Sequence, residues 1–315
     1  MKKKISLNMT QDFITVNEAF KKFQKFNKAK NLSKSTITYY RKRFKKFKNF
    51  LDECGIEHIH EIGSDTMEDY TLYLGENLDN NTTINTDLRA IRAFLNYATK
   101  KNNLDKVEVS MVKEKEKIKI TYTDEELREL LKKPNLQNCN FSVYRTWTIV
   151  NWLMSTGNRS RTVRNIKIKD LDFKSGYIKL RKTKNRNEQI IPMSKQLNKV
   201  LTEYLQYRGG DEEDYLFPSQ YDTKLTSSAF ASSIRRYNLN RNISKTSAHL
   251  FRHTFAKKFI KNGGDMFRLQ KILGHKSLEM VRKYVNMFGN DLKEGFEEYN
   301  PINEFKNDKE TIKID

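Results

Sequence analysis

Two arginines, two histidines, a lysine and a tyrosine in the second half of the chain are of types that can act on a phosphodiester, and their spacing suits that task. Thr156-Gly157-Asn158-Arg159 places an arginine just past the glycine at which an apolar helix should end. Lys182-Thr183-Lys184 falls at the tip between two short β-forming runs. His249-Leu250-Phe251-Arg252 sets an imidazole and a guanidinium three residues apart, on one face of a helix. Leu273-Gly274-His275 reads as a turn, and Tyr284 follows it.

Breaking a phosphodiester without a metal or cofactor needs a nucleophile, cationic donors for the non-bridging oxygens, a base, and an acid for the leaving oxygen. A planar guanidinium donates two parallel hydrogen bonds to a phosphate where a lysine acts as a point charge, so Arg159 and Arg252 are the candidate clamp. A phenol with a reference pKa of about 10 is a weak nucleophile at neutral pH, so Tyr284 would need positive donors around it to favour its phenolate. The blander readings are concrete. Either arginine could pair with a surface carboxylate, and that fate or contact with a DNA backbone is expected for Arg161 and Arg164. His253 faces elsewhere on its helix and reads as structural. Lys179, Arg181 and Lys184 rival Lys182, and Tyr284 is one of 15 tyrosines. Neither a G-x-x-x-x-G-K-[ST] loop nor a G-x-G-x-x-G fingerprint is present, which argues against nucleotide hydrolysis.

The five segments, in this order between Thr156 and Tyr284, resemble the tyrosine recombinase family, also called phage integrases. The resemblance is most specific over residues 121–300. It implies a helical core-binding domain, a SAM-like four-helix bundle, ahead of an α+β catalytic domain. It further implies that Tyr284 attacks the scissile phosphate to leave a 3′-phosphotyrosyl bond and a free 5′-hydroxyl, with no cofactor and no metal. By the same resemblance His249 assists proton transfer from Tyr284, Lys182 protonates the departing 5′-oxygen, and His275 hydrogen-bonds a non-bridging oxygen. The implied partner is double-stranded DNA with inverted-repeat core sites, bound by four protomers that are monomers in solution. An accessory DNA-bending protein and a mobile element fit the same picture. One position departs: the acidic residue the family usually carries three places after its first arginine is Thr162 here. Two other classes share features of the site. A DNA-binding regulator that had lost the reaction would have no use for all six groups together, and a 3′-linking topoisomerase would act without sequence preference.

Composition supports a polyanionic partner. The 315 residues carry 60 Lys+Arg against 39 Asp+Glu, a net charge of +21, and such a field attracts nucleic acid over long distances. The charge is segregated: residues 1–50 hold fifteen basic and two acidic residues, whereas residues 51–99 hold two basic and ten acidic. Biased codon usage would spread lysines more evenly. The 37% hydrophobic content suffices for packed cores. No apolar stretch approaches the roughly 20 residues of a membrane helix, and a cytoplasmic location is expected. Cys54 and Cys139 stand far apart, outside any metal-ligand spacing, and His58-x-His60 lies alone in a polar connector, where a solvated or capping role is expected.

The expected architecture is mainly α with a small antiparallel sheet. A basic N-terminus (1–10) precedes a helical DNA-binding domain (11–105), a solvated linker (106–120), a catalytic domain (121–300) and a tail (301–315). Thr15-x-x-Glu18 opens the first helix as a capping box. The second, from about Ser35, buries Ile37, Tyr40, Phe44, Phe47 and Leu51 and turns a basic side outward, where Lys42, Arg43, Lys45 and Lys46 could meet DNA along with Arg161 and Lys184. In the second half, residues 166–168, 177–180 and 189–191 read as strands. Phe296, Tyr299, Ile302 and Phe305 form an amphipathic stripe suited to docking on a neighbouring protomer or on its own domain.

Overall fold

The computed structural model describes residues 13–102, 104–114, 120–181, 188–275, 277–282 and 300–302, and the chain divides into two compact units, Met1–Lys117 and Ile118–Asp315. Lys182, Lys184, Tyr284, the basic N-terminus, and the tail's Phe296, Tyr299 and Phe305 lie outside the described residues.

The first unit packs α1 (Val16–Ala29), α2 (Lys34–Glu53), α3 (Ser64–Asn77) and α4 (Asn81–Asn102). Thr15 caps α1 in the expected box, its hydroxyl accepting from the Glu18 amide while Glu18 accepts from the Thr15 amide. Aromatic rings interlock within its core: Phe20 stacks on Phe44 and both meet Phe94 edge-on. The span expected to be a solvated linker is instead partly structural. Val107 and Val109 are buried in this core, and Asn85 of α4 exchanges hydrogen bonds with the backbone of Val112. Val107, Glu108 and Val109 alternate inward and outward, a strand-like period that the surrounding Lys and Glu residues masked in the sequence. His58 caps a single 3-10 turn closed by Glu61, and Phe13 stacks on His60, so this pair serves the local fold.

In the second unit, α5 (Asp124–Leu131), α6 (Phe141–Thr156) and α7 (Ser160–Val163) precede a sheet of β1 (Leu171–Asp172), β2 (Tyr177–Leu180) and β3 (Gln189–Pro192). The sheet is antiparallel in the order β1-β2-β3, with Leu180 opposite Gln189 as the last pair. Then follow α8 (Lys195–Arg208), α9 (Ser227–Leu239), α10 (Ala248–Lys261), α11 (Met266–Leu273) and α12 (Leu278–Arg282). α6, with Trp152 and Leu153 fully buried, is the central rod against which α8, α9 and α10 pack. The expected strand at 166–168 is not one: Lys167 makes an isolated bridge to Tyr215 and the chain enters a 3-10 turn at Ile168–Asp170. Asp170 causes this, since its carboxylate caps the Lys167 amide at 2.9 Å and so curls the backbone. No helix among the described residues is long and apolar enough to cross a membrane.

Candidate active site

Two helices ending in left-handed glycines create the site. α6 is capped by Gly157 at φ +59° and α11 by Gly274 at φ +62°, a conformation that an L side chain resists. At Gly157 a Cβ would also stand 2.4 Å from Phe255 Cδ1 and 2.7 Å from Leu273 Cδ2. Each turn therefore brings backbone carbonyls to a place that any other residue would obstruct.

Arg252, on α10 and only 2% exposed, spans both turns. Its Nη1 donates to the Gly157 carbonyl at 2.7 Å and its Nη2 to the Leu273 carbonyl at 2.8 Å. The carboxyl ends of two helices thus turn their partial negative charge on one guanidinium, which offsets the cost of burying it. The same Nη2 lies 2.6 Å from His275 Nε2. A guanidinium has no acceptor, so Nε2 accepts, and a neutral His275 carries its proton on Nδ1.

Arg159 reaches the same carbonyl, its Nη1 donating to Leu273 O at 3.4 Å. Its approach is fixed by the Gly157 turn and by Asn158, whose buried Oδ1 accepts from Trp152 Nε1 at 3.1 Å. Thr162, where an acid would help to orient Arg159, uses its amide to close α7 on the Arg159 carbonyl.

His249 occupies the first turn of α10, where Ser247 caps its amide. The protein body beneath it, then Arg252, then Arg159 hold its imidazole below the usual histidine range. His249 lies three residues before Arg252 on α10, hence on the same face of the helix. A neutral imidazole beside two guanidiniums can accept a proton while the arginines hold an anion. Arg159, His249, Arg252 and His275 are thus brought together. His253, half-buried, is the next residue along the helix.

The basic residues offered as DNA contacts divide. Lys42, Lys45 and Arg161 are exposed. Arg43 and Lys46 are engaged within their own unit by Asp87 of α4, which is 1% exposed; Lys46 Nζ lies 3.0 Å from its Oδ2. An ion pair to a buried carboxylate restrains both side chains, a cost to any role as phosphate ligands. Arg164 is spent on the Leu225 carbonyl at 3.0 Å. No group of three or more His, Cys, Asp or Glu side chains suited to a metal ion occurs among the described residues.

Sequence reasoning passed over two polar residues, Asp170 in the 3-10 turn before β1 and Gln189 at the start of β3. Asp170, 3% exposed, pairs with Arg181 Nε at 2.6 Å. Gln189 donates to the carbonyls of Lys271 and, at 3.0 Å, Ile272. The signal was present: period two puts Gln189 on the face of buried Ile191, and a polar residue on a core face needs a partner.

The chain has relatives among known proteins. A model of the Phage integrase family matches residues 120–290, and a model of the phage integrase N-terminal SAM-like domain matches residues 20–102. Tyrosine recombinase XerD of Staphylococcus haemolyticus (strain JCSC1435) is 28% identical over 299 residues, 91% of this chain and 99% of that protein. Among solved structures, the Tn1549 transposon integrase in complex with transposon right end DNA superposes with a TM-score of 0.72 at 18% identity, over 90% of this chain and 99% of the other. A lambda integrase tetramer bound to a Holliday junction gives 0.70 at 16% identity, over 88% and 78%.

Proposed function

The chain belongs to the phage integrase family of tyrosine recombinases, and we propose from that membership that Arg159, Lys182, His249, Arg252, His275 and Tyr284 are the groups with which it cleaves and rejoins DNA at specific sites. The observation that carries the assignment is the convergence of both arginines on the Leu273 carbonyl, with His275 against one and His249 within the field of both. A scissile phosphate entering there would take its non-bridging oxygens to Arg159 and Arg252. It would also replace the direct contact between Arg252 and His275 Nε2, freeing that nitrogen to face an oxygen.

In this reading Tyr284 attacks phosphorus as its proton passes to His249, and Lys182 gives a proton to the departing 5′-oxygen. The bond from phosphorus to the 5′-oxygen breaks as the bond to the phenolic oxygen forms. The phosphodiester energy stays in the protein–DNA linkage, and attack by a 5′-hydroxyl of a partner strand reverses the step. His249 suits the role of acceptor because its environment keeps it neutral at neutral pH.

The substrate proposed is double-stranded DNA with inverted-repeat core sites, recombined by four copies of the chain in the cytoplasm. A solved relative is a tetramer on a Holliday junction, and another is a transposon integrase on its transposon end, which supports a mobile-element setting here. Assembly from monomers and help from a DNA-bending protein complete the proposal. The test is a nicked suicide duplex containing inverted repeats from DNA flanking the gene. A protease-sensitive adduct at a 3′-phosphate, resealed when a 5′-hydroxyl strand is added, is expected. Specific retardation of that DNA without any adduct would favour a regulator, and relaxation of supercoiled DNA lacking any such site would favour a topoisomerase.

A further inference from the structure

Gln189 stands at the end of the β2–β3 ladder and reaches out of the sheet to the carboxyl end of α11. The carbonyls there only accept, so Nε2 must be the amide atom facing Lys271 and Ile272. Oε1 then turns toward Gly274, where a Cβ would stand 2.8 Å from it. Gly274 is thus required twice, for its positive φ and for the space that Gln189 occupies. The next carbonyl, Leu273 O, is the one shared by Arg252 and Arg159. The last three carbonyls of one helix are divided between a strand glutamine and the two arginines of the site.

We propose that Gln189 is a positioning residue for the phosphate clamp: by holding the Lys271 and Ile272 carbonyls it fixes the end of α11 against the sheet, and so sets where Leu273 O aligns Arg252 and Arg159. Among the described residues, the apolar attachment of α11 is a cluster of its own, with half-buried Phe255, Phe259, Ile260 and Met266 packed against it. Its buried apolar contacts form a small cluster of Ala256, Leu269, Leu273 and Val281, separate from the main core. Without Gln189 the Lys271 carbonyl keeps the Gly274 amide at 3.0 Å while the Ile272 carbonyl needs a new donor, and the guanidiniums that serve the adjacent Leu273 carbonyl are close to it. The proposal rests on the recombinase reading of the site.

The test uses the full chain with Gln189→Met, which keeps length and removes both donors. DNA affinity on native gels should stay within about threefold of wild type, while adduct formation slows by about 10- to 100-fold, the cost of misplacing a reacting group by a fraction of an ångström to an ångström. The discriminating substrate carries a methylphosphonate at the scissile position, which removes one of the oxygens that the clamp grips. There the loss caused by Gln189→Met should shrink at least about threefold, because two changes to one interaction are not additive. An equal loss on both substrates, or no loss on the phosphodiester, would overturn the proposal. So would relief of the defect by a 5′-bridging sulfur, which leaves without a proton and would place the fault at the leaving group. If Gln189→Met does not fold, Gln189→Asn, whose amide is one methylene too short to reach, is held to the same expectations. Failure of wild type itself to form an adduct would instead overturn the recombinase reading, and this proposal with it.

Discussion

Arg252 Nη2 donates both to the Leu273 carbonyl and to His275 Nε2, at 2.8 and 2.6 Å, so a single nitrogen links the helix end to the histidine that follows it. Lysine cannot reproduce that fork. Arg252→Lys should slow adduct formation by about 10²- to 10³-fold, in line with removal of one donor from an anion-stabilising site. It should also destabilise the fold by about 1–3 kcal/mol through the carbonyls left buried. Single-turnover cleavage and urea unfolding of the same preparation measure the two effects.

Gly157→Ala should be costlier than Gly176→Ala, though both glycines have positive φ. The left-handed conformation alone costs about 1–2 kcal/mol for an L residue. At Gly176, φ +69°, the nearest atom to an added Cβ is Met193 O at 3.9 Å, so only that cost applies and cleavage should be unchanged. At Gly157 the methyl also meets Phe255 and Leu273, which adds about 1–3 kcal/mol of overpacking and displaces the carbonyl that Arg252 uses. Denaturant midpoints and cleavage rates should separate the pair.

His249 should titrate below about 6.5, the unperturbed value, in the DNA-free protein. The sign follows from its causes: burial first, then Arg252 and Arg159, all disfavour the protonated form. Folding stability from this group is therefore fully present above the unfolded value and declines as pH falls below it. DNA adds phosphate charge and should raise the value again. Proton NMR of the His249 ring, with and without core-site DNA, measures both; a free-protein midpoint above the unperturbed value would contradict the placement of His249 beside the two arginines.

Asp87 should matter to stability and Lys42 and Lys45 to DNA. Asp87→Ala removes the buried carboxylate holding Arg43 and Lys46. Both cations are about a third exposed, so the loss should be about 1–2 kcal/mol, less than for a fully buried pair. Lys42→Ala and Lys45→Ala should leave melting unchanged and each lower the slope of log affinity against log salt by about one. Salt-dependent binding isotherms with thermal melts test this division of the basic face.

Local rules made most of this legible. Thr15 announced a helix start because a capping box is a short-range device, and the box is present as expected. Gly157 marked a helix end for the same reason, and the turn read at Gly274 is the cap of α11. The His249 and Arg252 spacing gave a shared helix face without knowledge of the tertiary fold. What escaped was non-local. Asp87 captures Arg43 and Lys46 from 41 or more residues away, Asn85 draws Val112 out of the presumed linker, and Gln189 meets α11 across 83 residues. A buried polar partner of this kind leaves its trace only as a polar residue on an apolar face, as Gln189 does beside Ile191.

The identity of the nucleophile is the central claim. Wild-type protein trapped on a suicide duplex, digested with trypsin and nuclease and analysed by mass spectrometry, should carry the 3′-phosphonucleotide on the peptide containing Tyr284. Tyr284→Phe should bind the same DNA and yield no adduct. A phosphonucleotide on any other residue, or an undiminished adduct from Tyr284→Phe, would contradict the assignment of the reaction to that phenol.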